Sequence, residues 1–222
     1  MARLHEHQGK ALLGEAGVRI PRGILVRSPQ EAEQALLDLG GRAIMKIQAL
    51  VEDLGAAGGV EMVSSPQTAV ATARRMLALG THGIPVSELL VEVPVNVVDE
   101  LHLSITAGLD GVRTLRLAAS RKLPDTPASV DSVRFGPPGA TPPIDLEAVA
   151  GIVRSTGLDP DFHGPLVEAV TRIASLAEAR GATDLEVDPL VTTVEGSVVA
   201  IDCRITLQES LAARPSGRTA ER

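Results

Sequence analysis

Two Ser-Pro pairs, Ser28-Pro29 and Ser65-Pro66, divide the beginning of the chain into short segments. Serine is favoured just before the first turn of a helix and proline fits the first helical position, so each pair predicts a helix start. A short apolar segment precedes each pair, at 23–27 and at 60–63, and predicts a strand. This part of the chain is therefore expected to alternate strands and helices at short intervals.

The rest of the sequence predicts a second mixture of strands and helices. Residues 184–191 and 197–205 predict a hairpin that turns at Glu195-Gly196. Residues 124–143 hold several prolines and predict a long surface excursion, because proline suits neither helix interiors nor central strands. The order of elements predicts an α+β fold in which two small sheets carry helices. The other predicted elements are helices at 4–16, 28–40, 65–80, 146–154 and 166–180, and strands at 43–48, 88–93, 100–108 and 113–119.

Composition excludes several classes of partner. The chain of 222 residues has 21 basic and 28 acidic side chains, a formal net charge of −7, and no basic stripe. Its aromatic residues are Phe135 and Phe162. Since nucleic-acid binding needs clustered cations and is helped by aromatic stacking, we expect no nucleic-acid partner. The single cysteine, Cys203, cannot form an internal disulfide and indicates a reducing compartment.

Hydropathy predicts no contact with a membrane. Residues 1–7 lack the apolar core of a signal peptide, and no stretch approaches the roughly 18 apolar residues of a membrane helix. We therefore expect a soluble, cytoplasmic protein.

The last predicted hairpin brings two aspartates together. If the turn is centred on Glu195, Asp188 lies opposite Asp202, at a Cβ separation of about 4.5–5.5 Å. Two facing carboxylates repel unless a cation lies between them, and two carboxylates with substrate phosphates commonly bind Mg²⁺. Glu186 shares their face and would complete the site. In the alternative interpretation these acids face solvent and diverge, and a shift of one residue would place Asp188 on the other face.

Three further segments carry candidate nucleotide-binding residues. Lys46, in the apolar strand 43–47, is either a charge on an edge strand or an inward cation that binds an anion. The small residues of the loop at 49–59 either let backbone N–H groups approach a phosphate or form an ordinary hairpin loop. The extended segment 92–95 would offer backbone groups to a flat heterocycle, and Glu100 would accept hydrogen bonds from ribose. The alternative is an ordinary crossover with a solvated acid.

The cysteine and the histidines carry no catalytic prediction. Cys203 has no histidine near it in sequence, so we expect a thiol in the core. His5 and His7 are two residues apart on a predicted helix and do not share a face. We expect all five histidines to be structural or solvated, including the scattered His82, His102 and His163.

Five short motifs occur in order, at 4–10 with 17–21, 46–48 with 57–60, 90–92 with 100–101, 186–190, and 201–202. They read Leu-His-Glu-His-Gln-Gly-Lys with Gly-Val-Arg-Ile-Pro, Lys-Ile-Gln with Ala-Gly-Gly-Val, Leu-Val-Glu with Glu-Leu, Glu-Val-Asp-Pro-Leu, and Ile-Asp. Over roughly residues 3 to 206 the sequence resembles the ATP-grasp domain that begins the β subunit of succinyl-CoA synthetase.

The resemblance implies a fold and a division of the chain. Residues 1–208 would form an ATP-grasp domain whose two α+β subdomains enclose a nucleotide cleft. The smaller, lid-like subdomain would comprise 20–95, and the larger would comprise 1–19 and 96–208. Residues 209–222 would form a flexible tail.

The resemblance also implies ATP and Mg²⁺ as cofactors. Lys46 would be the catalytic residue and would contact the ATP phosphates. The other implied binding residues are Asp53, Leu54 and Gly55 in the phosphate loop, Glu92 and Val95 at the adenine, Glu100 at the ribose, and Asp188 and Asp202 at Mg²⁺.

In that family, ATP phosphorylates a histidine of a partner subunit, the phosphoryl group activates a carboxylate, and coenzyme A captures the acyl phosphate. The resemblance therefore implies an ADP-forming carboxylate–CoA ligase. Its partners would be an α-like subunit that binds CoA and carries the phosphohistidine, and a separate CoA-ligase domain. A small carboxylic acid and CoA would be bound through the complex.

The chain departs from the family pattern in its phosphate loop. The family has the basic sequence Gly-Gly-Arg-Gly-Lys, whereas this chain has Glu52-Asp53 there, and an acid beside a phosphate costs about 1 kcal/mol or more. At the Mg²⁺ position the usual asparagine is Asp188, which would strengthen cation binding. The alternative function is a non-catalytic binding or regulatory subunit with an ATP-grasp fold and a degraded phosphate loop. A carboxylate–amine ligase is a third, disfavoured alternative.

Overall fold

The computed structural model describes residues 1–50, 58–81, 84–120, 132–136 and 144–208. In these ranges the helices are α1 (Glu6–Glu15), α2 (Pro29–Asp38), α3 (Pro66–Leu77), α4 (Leu146–Ser155) and α5 (His163–Ala179), with a 3₁₀ turn at Pro160–Phe162. The strands are β1 (Ala2–Arg3), β2 (Gly23–Val26), β3 (Ala43–Ile47), β4 (Val60–Val63), β5 (Gly80–Thr81), β6 (Ile84–Pro85), β7 (Leu89–Glu92), β8 (Val97–Ala107), β9 (Arg113–Ala119), β10 (Ser132–Phe135), β11 (Ala182–Thr193), β12 (Val198–Ala200) and β13 (Cys203–Leu207).

Both Ser-Pro helix starts are confirmed. The Ser28 side chain accepts a hydrogen bond from the backbone N–H of Glu31, and Pro29 begins α2. The Ser65 side chain accepts one from Thr68 in the same way, and Pro66 begins α3. Because these hydroxyls satisfy N–H groups that have no partner within the helix, each helix begins at its predicted residue.

The smaller sheet has the strand order β2-β7-β3-β4, and its neighbouring strands are antiparallel. Helices α2 and α3 pack against each other and against this sheet. The core between them is aliphatic, as the scarcity of aromatic residues requires. Its fully buried members include Val26, Leu36, Met45, Ile47, Met76 and Val91.

The larger sheet has the order β1-β13-β11-β8-β9-β10, and β12 pairs with the far end of β11. Its neighbouring strands are also antiparallel. Helix α1 packs on β13, α5 on β11, and α4 on β10 and α5. This second core includes Leu13, Leu103, Phe135, Leu166, Ile173 and Leu185.

The two cores are separate in sequence. The smaller extends from Val26 to Val91, and the larger combines Leu13 and Val18 with residues 101–205. The subdomain boundaries at 20 and 95 remain predictions, with which this separation agrees. The predicted tail, 209–222, lies outside the described residues. Among the helices that the structure describes, none combines the length and apolarity needed to cross a membrane.

One element contradicts the sequence interpretation. Strand β10 lies within 124–143, the stretch expected to be a surface excursion, and pairs with β9 through Phe135 opposite Arg113. In β10, Val133 and Phe135 are buried while Ser132 and Arg134 are exposed. The surface excursion was predicted from the prolines of 124–143, but all of these prolines lie outside the strand. The expectation of a core thiol is confirmed, since Cys203 is buried.

Candidate functional site

A buried ion cluster lies where the smaller sheet meets α1. It consists of Glu6 and Lys10 from α1, Lys46 from β3 and Glu92 from β7, and is called the junction cluster below. Glu6 and Lys10 are four residues apart and share one helix face. β3 and β7 are neighbouring strands in which Ile44 pairs with Glu92, so Lys46 and Glu92 emerge close together.

Each lysine of the junction cluster contacts both carboxylates. Lys46 Nζ lies 2.7 Å from Glu6 Oε1 and 3.1 Å from Glu92 Oε2, and donates a hydrogen bond of 2.9 Å to the Ile201 carbonyl oxygen. Lys10 Nζ lies 2.8 Å from Glu6 Oε1 and also contacts Glu92 Oε1. Two positive and two negative groups therefore balance inside the protein.

The contacts of Lys46 decide between its two sequence interpretations. Strand β3 lies between β7 and β4, so it is not an edge strand. Lys46 is only 7% exposed and its ammonium group points toward α1 and the residue that follows β12. Lys46 is thus an inward-facing cation, as binding of an anion would require.

Two polar residues support the junction cluster. Gln48 Nε2 donates to Glu6 Oε2 over 3.3 Å, while the His7 backbone N–H donates to Gln48 Oε1 over 3.0 Å. Gln48 is buried, and its bond holds Glu6 Oε2, whereas the lysines contact Oε1. The sequence interpretation assigned no role to Glu6, Lys10 or Gln48. The available signal was that all three belong to the motifs at 4–10 and 46–48.

Electrostatics distinguish Asp202 from the other acids nearby. Burial opposes the charged form of Lys46, but the carboxylates of Glu6, Glu92 and Asp202 raise its pKa above the ordinary value of 10.5. Burial also opposes ionisation of Glu6, yet Lys46 and Lys10 lower its pKa below 4.5. For Asp202, burial and then Glu6 raise the pKa to about 6, against the attraction of Lys46 and Lys10. Asp202 is therefore a third carboxylate near the two lysines, which already contact Glu6 and Glu92.

The predicted register of the last hairpin is confirmed. Val187 pairs with Cys203 and Leu190 with Ala200, and the Asp188 N–H donates to the Asp202 carbonyl oxygen over 3.2 Å. The two aspartate side chains have different neighbours. Asp202 Oδ1 accepts a hydrogen bond from its neighbour's N–H and the carboxylate faces the junction cluster. Asp188 lies instead beside His102 and Glu186.

His102, Glu186 and Asp188 form a second set, called the carboxylate–histidine group below. His102 Nε2 lies 2.7 Å from Glu186 Oε1, and Arg204 Nη1 donates to Glu186 Oε2 over 3.2 Å. One ligand atom from each of the three residues lies within 4.8 Å of the others. The histidine was expected to be structural or solvated. The sequence could not predict its contact with Glu186, which depends on the pairing of β8 with β11.

The remaining predicted residues lie in different places. Glu92 is buried, and its carboxylate contacts lysines in the junction cluster. Glu100 is exposed on β8 opposite Val191. Val95 lines an open cavity of about 440 Å³, but Lys46 and Glu100 are not part of its lining. That cavity therefore does not contain all the residues that were expected to contact adenine, ribose and phosphate. The phosphate-loop residues Asp53, Leu54 and Gly55 lie outside the described residues.

Comparison with known proteins identifies the class. Residues 3–120, more than half of the chain, match the family described as the ATP-grasp domain, and the chain belongs to that family. Proteins of this family use ATP together with Mg²⁺, which confirms the predicted cofactors for the family.

The chain is similar to β subunits of succinate–CoA ligases. The β subunit of ADP-forming succinate–CoA ligase from Rubrobacter xylanophilus is 32% identical over 215 residues, which covers 93% of this chain and 55% of that protein. The GDP-forming β subunit from Thermus thermophilus is 28% identical over 221 residues, covering 93% of this chain and 56% of the relative. The chain thus spans little more than half the length of these relatives.

A solved structure confirms the fold. The dinucleotide-forming acetyl-coenzyme A synthetase 1 of Ca. Korarchaeum cryptofilum superposes with a TM-score of 0.76, covering 93% of each chain at 16% sequence identity. The predicted α+β ATP-grasp fold is therefore correct.

Proposed function

We propose that this chain is the nucleotide-binding, ATP-grasp part of an ADP-forming carboxylate–CoA ligase. In this proposal it transfers a phosphoryl group from Mg·ATP toward a histidine of a partner subunit and on to an acyl phosphate. The observation that carries the proposal is the inward-facing Lys46, held beside Asp202 where the two sheets meet, in a chain of the ATP-grasp family.

Lys46 would stabilise the phosphates through a fixed positive charge. Its raised pKa keeps the ammonium group protonated at neutral pH, and phosphoryl transfer depends mainly on positioning and on neutralising phosphate charge. To contact a phosphate, Lys46 must exchange one of its carboxylate partners. Lys10 contacts both Glu6 and Glu92, so neither acid loses all its positive partners when Lys46 moves.

In this proposal Asp202 and Asp188 would hold Mg²⁺ together, and their side chains, which have different neighbours in the structure, would turn toward one ion. Asp202 is a largely buried carboxylate whose pKa is raised to about 6 by burial and then by Glu6, and Asp188 lies opposite it in the hairpin. Carboxylate oxygens are the ligands that Mg²⁺ prefers. Bound Mg²⁺ would supply the remaining neutralisation of the phosphates.

We further propose the remaining contacts that the family resemblance implies. Residues 53–55 would surround the phosphates, Glu92 and Val95 would line the adenine, and Glu100 would bind the ribose. In the structure the Glu92 carboxylate is paired with lysines, and Glu92 pairs with Gly23 and Ile44 in the sheet. Residues 20–95 would act as the lid over 1–19 and 96–208.

The partners in this proposal follow from the relatives. Those named above are β subunits of succinate–CoA ligases, and the Korarchaeum structure was solved with coenzyme A and Ca-AMPCP. The chain spans about 55% of such a β subunit. In this proposal a CoA-ligase domain and an α-like subunit with the phosphohistidine would complete the enzyme. The substrates of the complex would be a small carboxylic acid and CoA.

The test measures ADP formation by the native complex, which is purified with this chain left untagged. Asp202→Ala is expected to lower Mg²⁺-dependent ADP formation by about 100-fold or more, since it removes charge stabilisation at the transferred group. Asp110→Asn is the matched control, because Asp110 is an exposed aspartate that pairs with Arg134, outside both charged sets. Unchanged turnover in Asp202→Ala would refute its role.

A non-catalytic binding or regulatory subunit is the second candidate. Two observations favour it: Lys46 already has three protein partners, and the sequence places Glu52-Asp53 where the family has a basic loop. In this case neither the chain nor its complex would bind Mg·ATP, so calorimetry separates the two functions.

A further inference from the structure

The carboxylate–histidine group combines Asp188, a residue of the proposed Mg²⁺ site, with His102 and Glu186, two possible metal ligands that the proposed function does not use. One imidazole nitrogen and two carboxylate oxygens, from His102, Glu186 and Asp188, lie within 4.8 Å of one another. We propose that these three residues bind a divalent ion of the transition series, such as Mn²⁺, Co²⁺ or Zn²⁺, in the absence of nucleotide. Asp188 would thus have ligand partners other than Asp202.

The pairing of β8 with β11 explains why the three side chains converge. Val187 pairs with Leu103, but the next pair is Leu190 with Leu101, so Asp188 and Pro189 both lie opposite the single residue His102. Such a bulge redirects side chains and often lies beside a functional site. Glu186 and Asp188 consequently lie on either side of one histidine.

The ligand types favour a transition metal over Mg²⁺. Imidazole nitrogen suits Mn²⁺, Co²⁺ and Zn²⁺, whereas Mg²⁺ prefers oxygen ligands and keeps several waters. His102 and Glu186 have side chains that are 40% and 26% exposed, and Asp188 is exposed, so an ion can enter from solvent. The open side leaves positions for water or for a ligand oxygen.

Arg204 orients one ligand of the proposed site and does not occupy the position of the ion. Its guanidinium group holds Glu186 Oε2, which turns Oε1 toward His102 Nε2. Partners of this kind, behind the ligands, orient metal-binding side chains. Arg204 compensates only one of the two carboxylates. A bound ion would take the place of the proton in the hydrogen bond between His102 and Glu186.

Titration of the nucleotide-free chain with Co²⁺, without an affinity tag, tests the proposal through the visible absorption of bound Co²⁺. The wild-type chain is expected to bind one equivalent, and a large excess of Mg²⁺ should not displace it. His102→Ala should weaken Co²⁺ binding by about tenfold or more, because one of three ligands is lost. Asp110→Asn, which changes an exposed aspartate outside the group, should bind Co²⁺ as the wild type does.

Asp202→Asn separates this site from the proposed Mg·ATP site. If it leaves Co²⁺ binding unchanged, the ion is held by the carboxylate–histidine group. If Asp202→Asn weakens Co²⁺ binding as much as His102→Ala does, the ion lies between the two aspartates and the proposal is wrong. Absence of the Co²⁺ absorption in the wild-type chain, or full affinity in His102→Ala, would also overturn it. Should circular dichroism show that His102→Ala is unfolded, Glu186→Gln gives the same comparison.

Discussion

The junction cluster and the carboxylate–histidine group both join charged residues that are far apart in sequence, but they differ in burial. In the junction cluster, Lys10 and Glu92 are each 3% exposed, and two lysines balance two glutamates. In the carboxylate–histidine group the side chains are open to water, and Arg204 balances only one of the two carboxylates.

The difference shows that burial determines whether a charged side chain needs a partner within the protein. An unpaired charge inside a protein costs much free energy, so the charges of the junction cluster must pair with one another in the absence of a ligand. At the surface, water screens a surplus of negative charge at little cost, so a site can remain ready for a cation. We therefore expect mutations to affect stability in the junction cluster and metal binding in the carboxylate–histidine group.

The largest effect is expected for Glu92→Gln. With its charge removed, Lys10 and Lys46 each keep a direct contact with one carboxylate, that of Glu6, and the free energy of unfolding should fall by about 3–5 kcal/mol. Urea denaturation at pH 7 measures this value. The matched control is Glu186→Gln, which removes a charge on a side chain that is 26% exposed and should cost about 1 kcal/mol or less. Equal losses in the two variants would contradict the comparison.

Glu6→Gln should have a smaller effect that depends on pH. Glu6 is somewhat more exposed than Glu92, and we expect a loss of about 2–3 kcal/mol at pH 7. Despite its burial, Lys46 and Lys10 lower the pKa of Glu6 below 4.5 in the folded protein. Its contribution is therefore present above about pH 4.5 and is lost as the pH falls through the lowered pKa. Denaturation from pH 7 to pH 3 should show the two proteins converging, and a constant gap would argue against an ionised Glu6.

His102→Ala is expected to change the free energy of unfolding by about 0.5–1 kcal/mol without metal, because its contact with Glu186 is half-exposed. Added Co²⁺ should then raise the melting temperature of the wild type more than that of the variant, which binds the ion more weakly. Thermal denaturation with and without Co²⁺ measures both. A loss of several kcal/mol without metal would mean that the histidine has a structural role like that of the buried lysines.

The smallest effect is expected for Glu168→Gln. This residue pairs with Arg172 one turn away on the exposed face of α5, and such pairs contribute about 0.3–0.5 kcal/mol. Urea denaturation of this variant gives the baseline for an ion pair in water. If Glu168→Gln lowered the free energy of unfolding nearly as much as Glu92→Gln, burial would not explain why the two charged sets differ.

Local rules predicted the elements that have local causes. The Ser28 and Ser65 caps begin their helices as expected, and the turn near Glu195 determines the pairing of Asp188 with Asp202. Strand β10 was missed because the prolines near it outweighed a pattern of only four residues.

The charged sets themselves depend on long-range packing. Nothing close to Lys46 in the sequence indicates that α1 will place Glu6 and Lys10 beside it. The contact of His102 with Glu186 needs the register of two strands whose residues are 84 positions apart. Sequence patterns therefore identified Lys46 and the aspartates as candidates, but not the partners that determine their charge states.

Calorimetric titration of the chain with Mg·ATP, alone and in its co-purified complex, tests the central claim most directly. The account predicts binding of one nucleotide that requires Mg²⁺ and is weakened at least about tenfold by Lys46→Met, while Arg75→Met, which removes an exposed cation, leaves it unchanged. No heat from the wild type in either form, or equal affinity in Lys46→Met, would contradict it.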